Sequence, residues 1–345
     1  MKAAALFECG TPLRILTDIE VPEPQRGQVF VKLSRSGVCH SQLMEVRGRR
    51  GVDRYLPHLL GHEGVGQVVS IGEGVTKVEV GERVVLGWIK GSGLDAPGPN
   101  YKWQGKILNA GGVTTFNTHA VVSENRCYGL PDGVPDDVAV LLGCAVPTGA
   151  GIVLNEINPE PGSTAAVFGM GGIGLITLMT FRALGCARII AVDVSSRKLD
   201  VALKCGATDV VHAGMQDPVA AIRTITGNKG VDYAVDAAGR ARTIEQAFES
   251  VRRFGGLCVF ASHPAAGELI KVDPHDLISG KLLRGSWGGA SDPERDLPRF
   301  AELYRTGKLP LDHLVRDRFP LEEVNLALDA LEQRLAFRPL ISFPG

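Results

Sequence analysis

The stretch Thr164–Gly174, TAAVFGMGGIG, contains the pattern that decides the fold. Its opening residues TAAVF predict a buried strand, and the glycine-rich turn after them precedes a helical stretch that runs to Leu184. Glycines at such a turn let the backbone approach a pyrophosphate at the helix N-terminus, where free N–H groups and the helix dipole favour negative charge. The candidate dinucleotide-binding glycines are Gly169, Gly171, Gly172 and Gly174.

An acidic residue follows this turn at an informative distance. The next strand-like run, RIIAV (188–192), leads into Asp193, and a carboxylate about 20 residues beyond the glycine turn is placed to bind the adenosine ribose hydroxyls. A carboxylate there also repels the 2′-phosphate of NADP, so we expect NAD. The alternative is a glycine turn in an α/β domain followed by a solvated Asp. It is disfavoured because strand, turn, helix, strand and acid all occur in register.

The pattern of predicted secondary structure changes at about Pro161. Beyond that point strand-like runs such as DYAVD (232–236) and LCVFA (257–261) alternate with helix-length segments, which predicts a parallel, doubly wound sheet. The first third has short Val- and Gly-rich runs between turn residues and predicts an irregular β domain. The tail from about Ser291 is too short to fold alone, so we expect it to return to the first domain.

Composition excludes several classes of function. The 345 residues suffice for two domains, and with 44% hydrophobic residues, 22% charged residues and a net charge of -1 there is no basic stripe for nucleic acid. No apolar run approaches the roughly 20 residues of a membrane span, and the N-terminus lacks a signal-peptide pattern. A cytoplasmic location is therefore expected. Seven scattered cysteines without a CxxC pair argue against a disulfide framework.

Three segments carry thiol or imidazole side chains: GVCHS (37–41), GHE (61–63) and GCAVPTG (143–149). Each alone has a structural explanation, with Cys39 and Cys144 as buried thiols, His62 as a hydrogen-bonded core histidine and Glu63 as a solvated charge. The His-Glu pair leads into a predicted strand, GVGQVVSI. Its partner is a metal, a neighbouring charge or solvent.

Together GVCHS, GHEGVGQVVSIGEGV, CAVPTG and FGMGGIG, in this order and at these separations, resemble the zinc-dependent alcohol dehydrogenases of the medium-chain dehydrogenase/reductase superfamily. The resemblance covers essentially the whole chain. It implies an α/β protein with a GroES-like β domain over residues 1–147, completed by residues 288–345, and a Rossmann NAD-binding domain over residues 148–287. In that family the active site lies in the cleft between the two domains.

The resemblance also implies a catalytic zinc. Its ligands would be Cys39, His62 and Cys144, with Glu63 beside the metal as an occasional ligand or catalytic neighbour. Two thiolates and one imidazole leave a fourth tetrahedral position open, as a catalytic zinc requires. Zinc as a Lewis acid lowers the pKa of an alcohol, and hydride passes to the nicotinamide.

Other positions match the family one by one. Ser41 matches the hydroxyl that binds the substrate oxygen and passes its proton outward, although a loop hydroxyl bonded to backbone is the alternative. Trp88 matches a position that lines the substrate pocket, although it could also fill core space. The further candidate cofactor contacts are Lys198 at the adenosine ribose, Arg338 and His40 at the pyrophosphate, and Thr148 on the nicotinamide side, each of which is also compatible with an ordinary surface or turn residue.

The sequence departs from the family in two places. Residues 88–112, where many members hold a second zinc with four cysteines, contain no cysteine. We therefore expect no structural zinc, and a loop that is held by Trp88, Tyr101 and Trp103 or is mobile. Gln42 stands where an Asp usually orients the zinc-bound histidine, and Met44 stands where some members place a histidine that ends the proton relay. Reduced zinc affinity or activity, and another proton route, are expected.

These observations predict a zinc-dependent, NAD-preferring alcohol dehydrogenase that interconverts a primary or secondary alcohol with its aldehyde or ketone. A zinc-free quinone or enoyl reductase of the same superfamily is disfavoured by the complete Cys, His, Cys set. A nucleotide-binding protein without turnover is supported only by Gln42 and Met44. The run LLRGSWGG (282–289) resembles the family's edge strand that pairs with a second subunit, so we expect a homodimer or homotetramer.

Overall fold

The structure is a computed structural model that describes residues 1–262 and 264–344. His263 and Gly345, which the expected domain ranges include, lie outside the described residues. The chain divides into two compact units, the first formed by residues 1–144, 292–302 and the segment from 311 on, and the second by residues 145–291 and 303–310. The division expected from the sequence, at residues 147/148 and 287/288, stays a prediction about the folding domains.

The strands of the described residues are β1 (Ala3–Leu6), β2 (Arg14–Leu16), β3 (Gln28–Gly37), β4 (His58–Leu59), β5 (Gly64–Ile71), β6 (Arg83–Leu86), β7 (Tyr101–Trp103), β8 (Lys106–Leu108), β9 (His119–Ser123), β10 (Cys127–Gly129), β11 (Thr164–Phe168), β12 (Arg188–Asp193), β13 (Asp209–His212), β14 (Tyr233–Asp236), β15 (Leu257–Phe260), β16 (Leu282–Gly285), β17 (Arg318–Pro320) and β18 (Leu340–Ser342).

The α-helices are α1 (His40–Val46), α2 (Asp136–Ala139), α3 (Ala145–Gly151), α4 (Gly172–Ala183), α5 (Ser196–Lys204), α6 (Pro218–Ile225), α7 (Ala241–Ser250), α8 (Pro274–Ile278), α9 (Pro293–Arg305) and α10 (Val324–Glu332). Short 3-10 turns occur at Glu124–Arg126, Val140–Gly143, Gly288–Ala290, Leu311–His313 and Leu321–Glu323, and a π-helical turn at Ile152–Ile157. No single helix among residues 1–262 and 264–344 is long and apolar enough to cross a membrane. The consecutive helical segments Asp136–Gly143 and Ala145–Ile157, with a bend of 62° between them, together have the length and composition of a span, but by those two criteria only.

The first unit is built around a sheet in the order β10-β6-β5-β3-β18-β17, with β9 also pairing with β3. In β3 the alternate residues Val29, Val31 and Leu33 are buried while Lys32 is exposed, as expected for a strand with one face on a core. The C-terminal strand β18 pairs with β3, with Leu340 opposite Gly37. The end of the chain therefore completes the sheet that begins near the N-terminus.

The second unit contains a six-stranded sheet in the order β13-β12-β11-β14-β15-β16, and every pairing in it is parallel. The chain runs outward from β11 to β13 and then returns to place β14 on the other side of β11. In such a doubly wound sheet the carboxyl ends of the two central strands form a crevice for ligands. The predicted α/β class, with a GroES-like β domain and a Rossmann sheet, is confirmed.

Candidate metal centre and nucleotide turn

Two thiols and an imidazole converge in the first unit. Cys39 immediately precedes α1, His62 lies in the turn before β5, and Cys144 follows the 3-10 turn Val140–Gly143. Their ligand atoms all lie within 4.8 Å of one another, and His62 Nε2 is 3.2 Å from Cys144 Sγ. Both thiols are buried. Residues that are 82 positions apart in the sequence thus form one cluster.

The two thiols of this cluster have pKa values that are shifted in opposite directions. The hydrogen bond between the two thiols, aided by the positive charge of Arg338, lowers the pKa of Cys39 well below its usual value despite burial. The same hydrogen bond and burial raise the pKa of Cys144. Two buried cysteines and an imidazole whose ligand atoms lie this close together are the donor set of a zinc site with an open fourth position. The residues present therefore fit zinc.

Glu63 and Arg338 form a buried ion pair beside this cluster. The guanidinium lies 2.5 Å from Glu63 Oε1, and the two side chains are 0% and 5% exposed. The carboxylate packs directly on Gly37, where a Cβ atom would lie 2.3 Å from Glu63 Oε1, so that position requires glycine. Burial raises the pKa of Glu63, while the positive charge of Arg338 opposes that shift. The expected contact of Arg338 with a pyrophosphate stays a prediction.

Helix α1 presents two polar side chains to the other nitrogen of His62. The buried Gln42 accepts a hydrogen bond from the Cys39 backbone N–H through Oε1, at 3.0 Å, and its amide nitrogen contacts His62 Nδ1. Ser41 Oγ lies 3.5 Å from the same Nδ1. A metal on Nε2 requires a proton on Nδ1, and hence an acceptor facing it. The acceptor would be the Ser41 hydroxyl or Gln42, which would have to turn its oxygen toward the ring at the expense of the bond from Cys39.

The glycine turn lies in the second unit between β11 and α4. Gly169 has a φ of +90°, and a Cβ atom on Gly174 would lie 1.8 Å from the Gly169 carbonyl oxygen, so the helix can start this close to the turn only with glycine. Asp193 accepts the Met170 backbone N–H through Oδ2 at 2.7 Å and the Ser195 N–H through Oδ1 at 2.9 Å. A carboxylate oxygen can accept two hydrogen bonds, and each oxygen of Asp193 accepts one from these two backbone groups. Asp193 is thus held beside the turn with acceptor capacity to spare.

The remaining predicted residues occupy varied surroundings. Thr148 is buried in α3, and Lys198 is buried in the first turn of α5, both in the second unit. His40 is the exposed first residue of α1, and Trp88 is half-buried, both in the first unit. Met44 is a buried apolar residue of α1. The first unit therefore brings the predicted metal residues together, and the second unit groups the glycines with Asp193.

The cysteine-free segment 88–112 is held in a way that the sequence did not indicate. The carboxylate of Glu124, 1% exposed, accepts backbone N–H groups from Thr76 at 2.7 Å, Lys77 at 2.8 Å and Leu94 at 2.6 Å. Of the expected anchors, Tyr101 is fully buried and its hydroxyl accepts the N–H of Val121 at 2.8 Å. No pattern around Glu124 distinguishes it from a solvated charge, because its partners lie on distant segments.

The chain has one unit with a Cys, His, Cys cluster and one unit with a dinucleotide-binding turn. This combination is typical of metal- and nucleotide-dependent dehydrogenases. The family model described as alcohol dehydrogenase GroES-like domain matches residues 25–132, and the model described as zinc-binding dehydrogenase matches residues 172–304. The S-(hydroxymethyl)glutathione dehydrogenases of a Synechocystis species and of Escherichia coli are 31% and 30% identical to this chain over 368 residues, with 99% of each sequence covered.

A solved structure agrees over the same length. Benzyl alcohol dehydrogenase from Acinetobacter calcoaceticus matches with a TM-score of 0.89 at 29% identity, covering 99% of both chains. The chain belongs to the zinc-dependent alcohol dehydrogenase family of the medium-chain dehydrogenase/reductase superfamily. It is an oxidoreductase that acts on CH–OH groups, with zinc and a nicotinamide nucleotide as its cofactors. The predicted family and enzyme class are confirmed, as are zinc and a nicotinamide nucleotide as cofactors, while the absence of a structural zinc and the preference for NAD stay predictions.

Proposed function

We propose that the protein is an NAD-preferring alcohol dehydrogenase that interconverts a primary or secondary alcohol with its aldehyde or ketone. The observation that carries the proposal is the buried cluster of Cys39, His62 and Cys144, whose ligand atoms lie within 4.8 Å of one another. These residues would hold one catalytic zinc per subunit. When bound, zinc supplies a Lewis acid that polarises the substrate oxygen and lowers the pKa of an alcohol.

The chain's own residues would handle the proton and the charge. Ser41 lies beside the cluster and is the hydroxyl proposed to accept the alcohol proton and pass it outward. Because Met44 is apolar, the proton would leave by water or a cofactor hydroxyl rather than through α1. Arg338, buried beside Glu63, would offset negative charge on Glu63 and on the two cysteines when they act as metal ligands.

Asp193 supports the preference for NAD. Two backbone hydrogen bonds hold its carboxylate beside the glycine turn, where the adenosine ribose is expected. A fixed negative charge at that point repels a 2′-phosphate. Lys198, on the helix that follows, is proposed to support the same ribose, while Thr148, His40 and Arg338 are proposed to contact the remainder of the cofactor.

The substrate is proposed to be larger or more polar than ethanol. Family members with S-(hydroxymethyl)glutathione and benzyl alcohol in their names support this class. The half-buried Trp88 starts the cysteine-free segment and is proposed to line the pocket. A cytoplasmic location is proposed as the default for a chain of this composition.

A homo-oligomer is also proposed. Strand β16 is at the edge of the parallel sheet, and Leu282 on it and Trp287 just after it are 52% and 81% exposed. An apolar exposed edge is stabilised by pairing with a second copy. Light scattering on the purified protein should give a dimer or tetramer mass, and a monomer at micromolar concentration would contradict it.

The deciding experiment is a panel of alcohols assayed for reduction of NAD and of NADP. We expect turnover of bulky or polar alcohols with NAD, weak turnover of ethanol, and loss of activity in Cys144→Ala but not in Cys127→Ala, which removes a buried thiol elsewhere in the same unit. Equal turnover of ethanol would contradict the substrate class. Reduction of quinones or enones that persists in Cys144→Ala would instead indicate a zinc-free reductase.

A further inference from the structure

A second group of metal-ligand side chains lies in the first unit and takes no part in the proposed function. It consists of Glu45 on α1, Asp53 in the loop after α1, and His58 on β4. Their ligand atoms lie within 4.8 Å of one another. His58 Nε2 is 2.8 Å from Asp53 Oδ2 and 3.8 Å from Glu45 Oε1.

The histidine is oriented as a ligand. Its Nδ1 lies 2.9 Å from the backbone carbonyl oxygen of Leu59, so the proton on Nδ1 is donated there. Metal-binding histidines are held in this way, because a carbonyl on one nitrogen fixes the ring and leaves the other nitrogen free for the ion. The side chain is 8% exposed. Its Nε2 is therefore a buried ligand atom in a fixed position, and it faces two carboxylates.

The Asp53 carboxylate is also held in position, whereas Glu45 makes longer contacts. Asp53 Oδ1 accepts the Tyr55 backbone N–H at 2.9 Å, which fixes the plane of the carboxylate and turns Oδ2 toward the imidazole. Glu45 lies beyond hydrogen-bond distance of Nε2, at 3.8 Å, and 4.0 Å from the guanidinium of Arg50, whose side chain is 46% exposed. Two ligand atoms that bind the same zinc-sized ion are separated by about 3 to 3.5 Å. The observed separations of 2.8 and 3.8 Å bracket that value.

The group sets two carboxylates against one nearby guanidinium, that of Arg50, and it is partly open to water. The Asp53 and Glu45 side chains are 12% and 27% exposed. A cation could reach the group from solvent and keep water in its remaining coordination positions.

We propose that Glu45, Asp53 and His58 form a second metal site, which takes a divalent cation of the zinc or manganese type. An imidazole with two carboxylates suits these ions better than calcium or magnesium, which prefer oxygen ligands alone. The ion would join α1, the loop after it and β4. The alternative is an imidazolium paired with two carboxylates and no metal.

Cobalt(II) binding separates this site from the thiol cluster. Wild-type protein stripped of metal should take up two equivalents of Co²⁺, one with the intense near-ultraviolet charge-transfer absorption of thiolate ligands and one without it. His58→Gln should lose the equivalent without thiolate absorption and keep the other. Cys144→Ala should show the reverse. Zn²⁺ uptake measured by equilibrium dialysis should fall by one equivalent in His58→Gln in the same way.

Two further variants keep the test decisive. Glu45→Gln alters a partly exposed side chain and should weaken the second equivalent at least tenfold without unfolding the chain, while Glu73→Gln, an exposed acid elsewhere in the unit, should leave it unchanged. Equal metal uptake by wild-type, His58→Gln and Glu45→Gln proteins would overturn the proposal and leave an ion pair only. Failure of the proposed alcohol dehydrogenase would appear instead as loss of the thiolate absorption or of turnover.

Discussion

The guanidinium of Arg338 lies 2.5 Å from the carboxylate of Glu63, and both side chains are buried. Glu63 immediately precedes β5 and Arg338 lies just before β18, and these strands flank β3 on either side. Gly37 at the end of β3 leaves the space between them open. Three neighbouring strands thus place a compensating positive charge beside two thiols and an imidazole.

Replacing one member of this ion pair should lower the free energy of unfolding more than replacing both. Arg338→Met leaves Glu63 buried without its positive partner and should lower the free energy of unfolding by about 3 to 5 kcal/mol, while Glu63→Gln should cost less because Arg338 still faces Cys39. The double variant should be more stable than the sum of the two single losses implies. Urea unfolding of the metal-free proteins measures this coupling, and additive losses would show that the two charges do not compensate each other.

Gln42 should limit zinc affinity. Its amide oxygen is engaged by the Cys39 backbone N–H while its nitrogen contacts His62, an arrangement opposed to a proton on Nδ1. Gln42→Asp supplies a carboxylate acceptor and should bind zinc about tenfold more tightly. Competition with a chromophoric chelator gives the affinity, and Gln42→Met, which lacks an acceptor, is the matched control. No gain in Gln42→Asp would contradict this interpretation.

Glu124 should anchor the segment that lacks cysteines. Glu124→Gln presents an NH₂ group to at least one backbone N–H and should lower the free energy of unfolding by about 1 to 3 kcal/mol. Hydrogen exchange and proteolysis should increase in residues 88–112, whereas Glu79→Gln, an exposed acid, should change neither. Unchanged exchange in that segment would assign its order to the buried Tyr101 instead.

Asp236 should make the second unit less stable as pH rises. Burial raises its pKa to about 6, despite a hydrogen bond from the Gly239 N–H. The folded state therefore holds this proton more tightly than the unfolded state, whose aspartate pKa is about 4, so the free energy of unfolding falls between about pH 4 and 6.

Asp236→Asn removes that penalty. The variant should be more stable than wild type by about 2 to 3 kcal/mol at pH 8, with the difference vanishing below about pH 4. Thermal unfolding across this pH range measures it, with the exposed Asp200→Asn as control. Parallel pH profiles for wild type and Asp236→Asn would contradict the assignment.

The features that could be predicted from the sequence are formed by residues close together in the chain, and those that were missed are formed by residues far apart in it. The strand, the glycine turn of Gly169–Gly174 and the approach of Asp193 are encoded by local spacing, and the structure confirms the Rossmann sheet that they imply. Glu124 and the group around His58 depend on backbone groups and side chains that meet only after folding, so no local pattern marks them. The individual roles of Ser41, Lys198 and Arg338 stay predictions, as does the preference for NAD.

The central claim is that Cys39, His62 and Cys144 hold a zinc on which alcohol oxidation depends. The most direct test is zinc content per subunit by plasma mass spectrometry, measured with NADH formation on wild-type, Cys144→Ala and Cys127→Ala proteins. We predict that Cys144→Ala loses one zinc equivalent relative to wild type together with its activity, while Cys127→Ala retains both. Equal zinc content in all three proteins, or full activity in Cys144→Ala, would contradict the account.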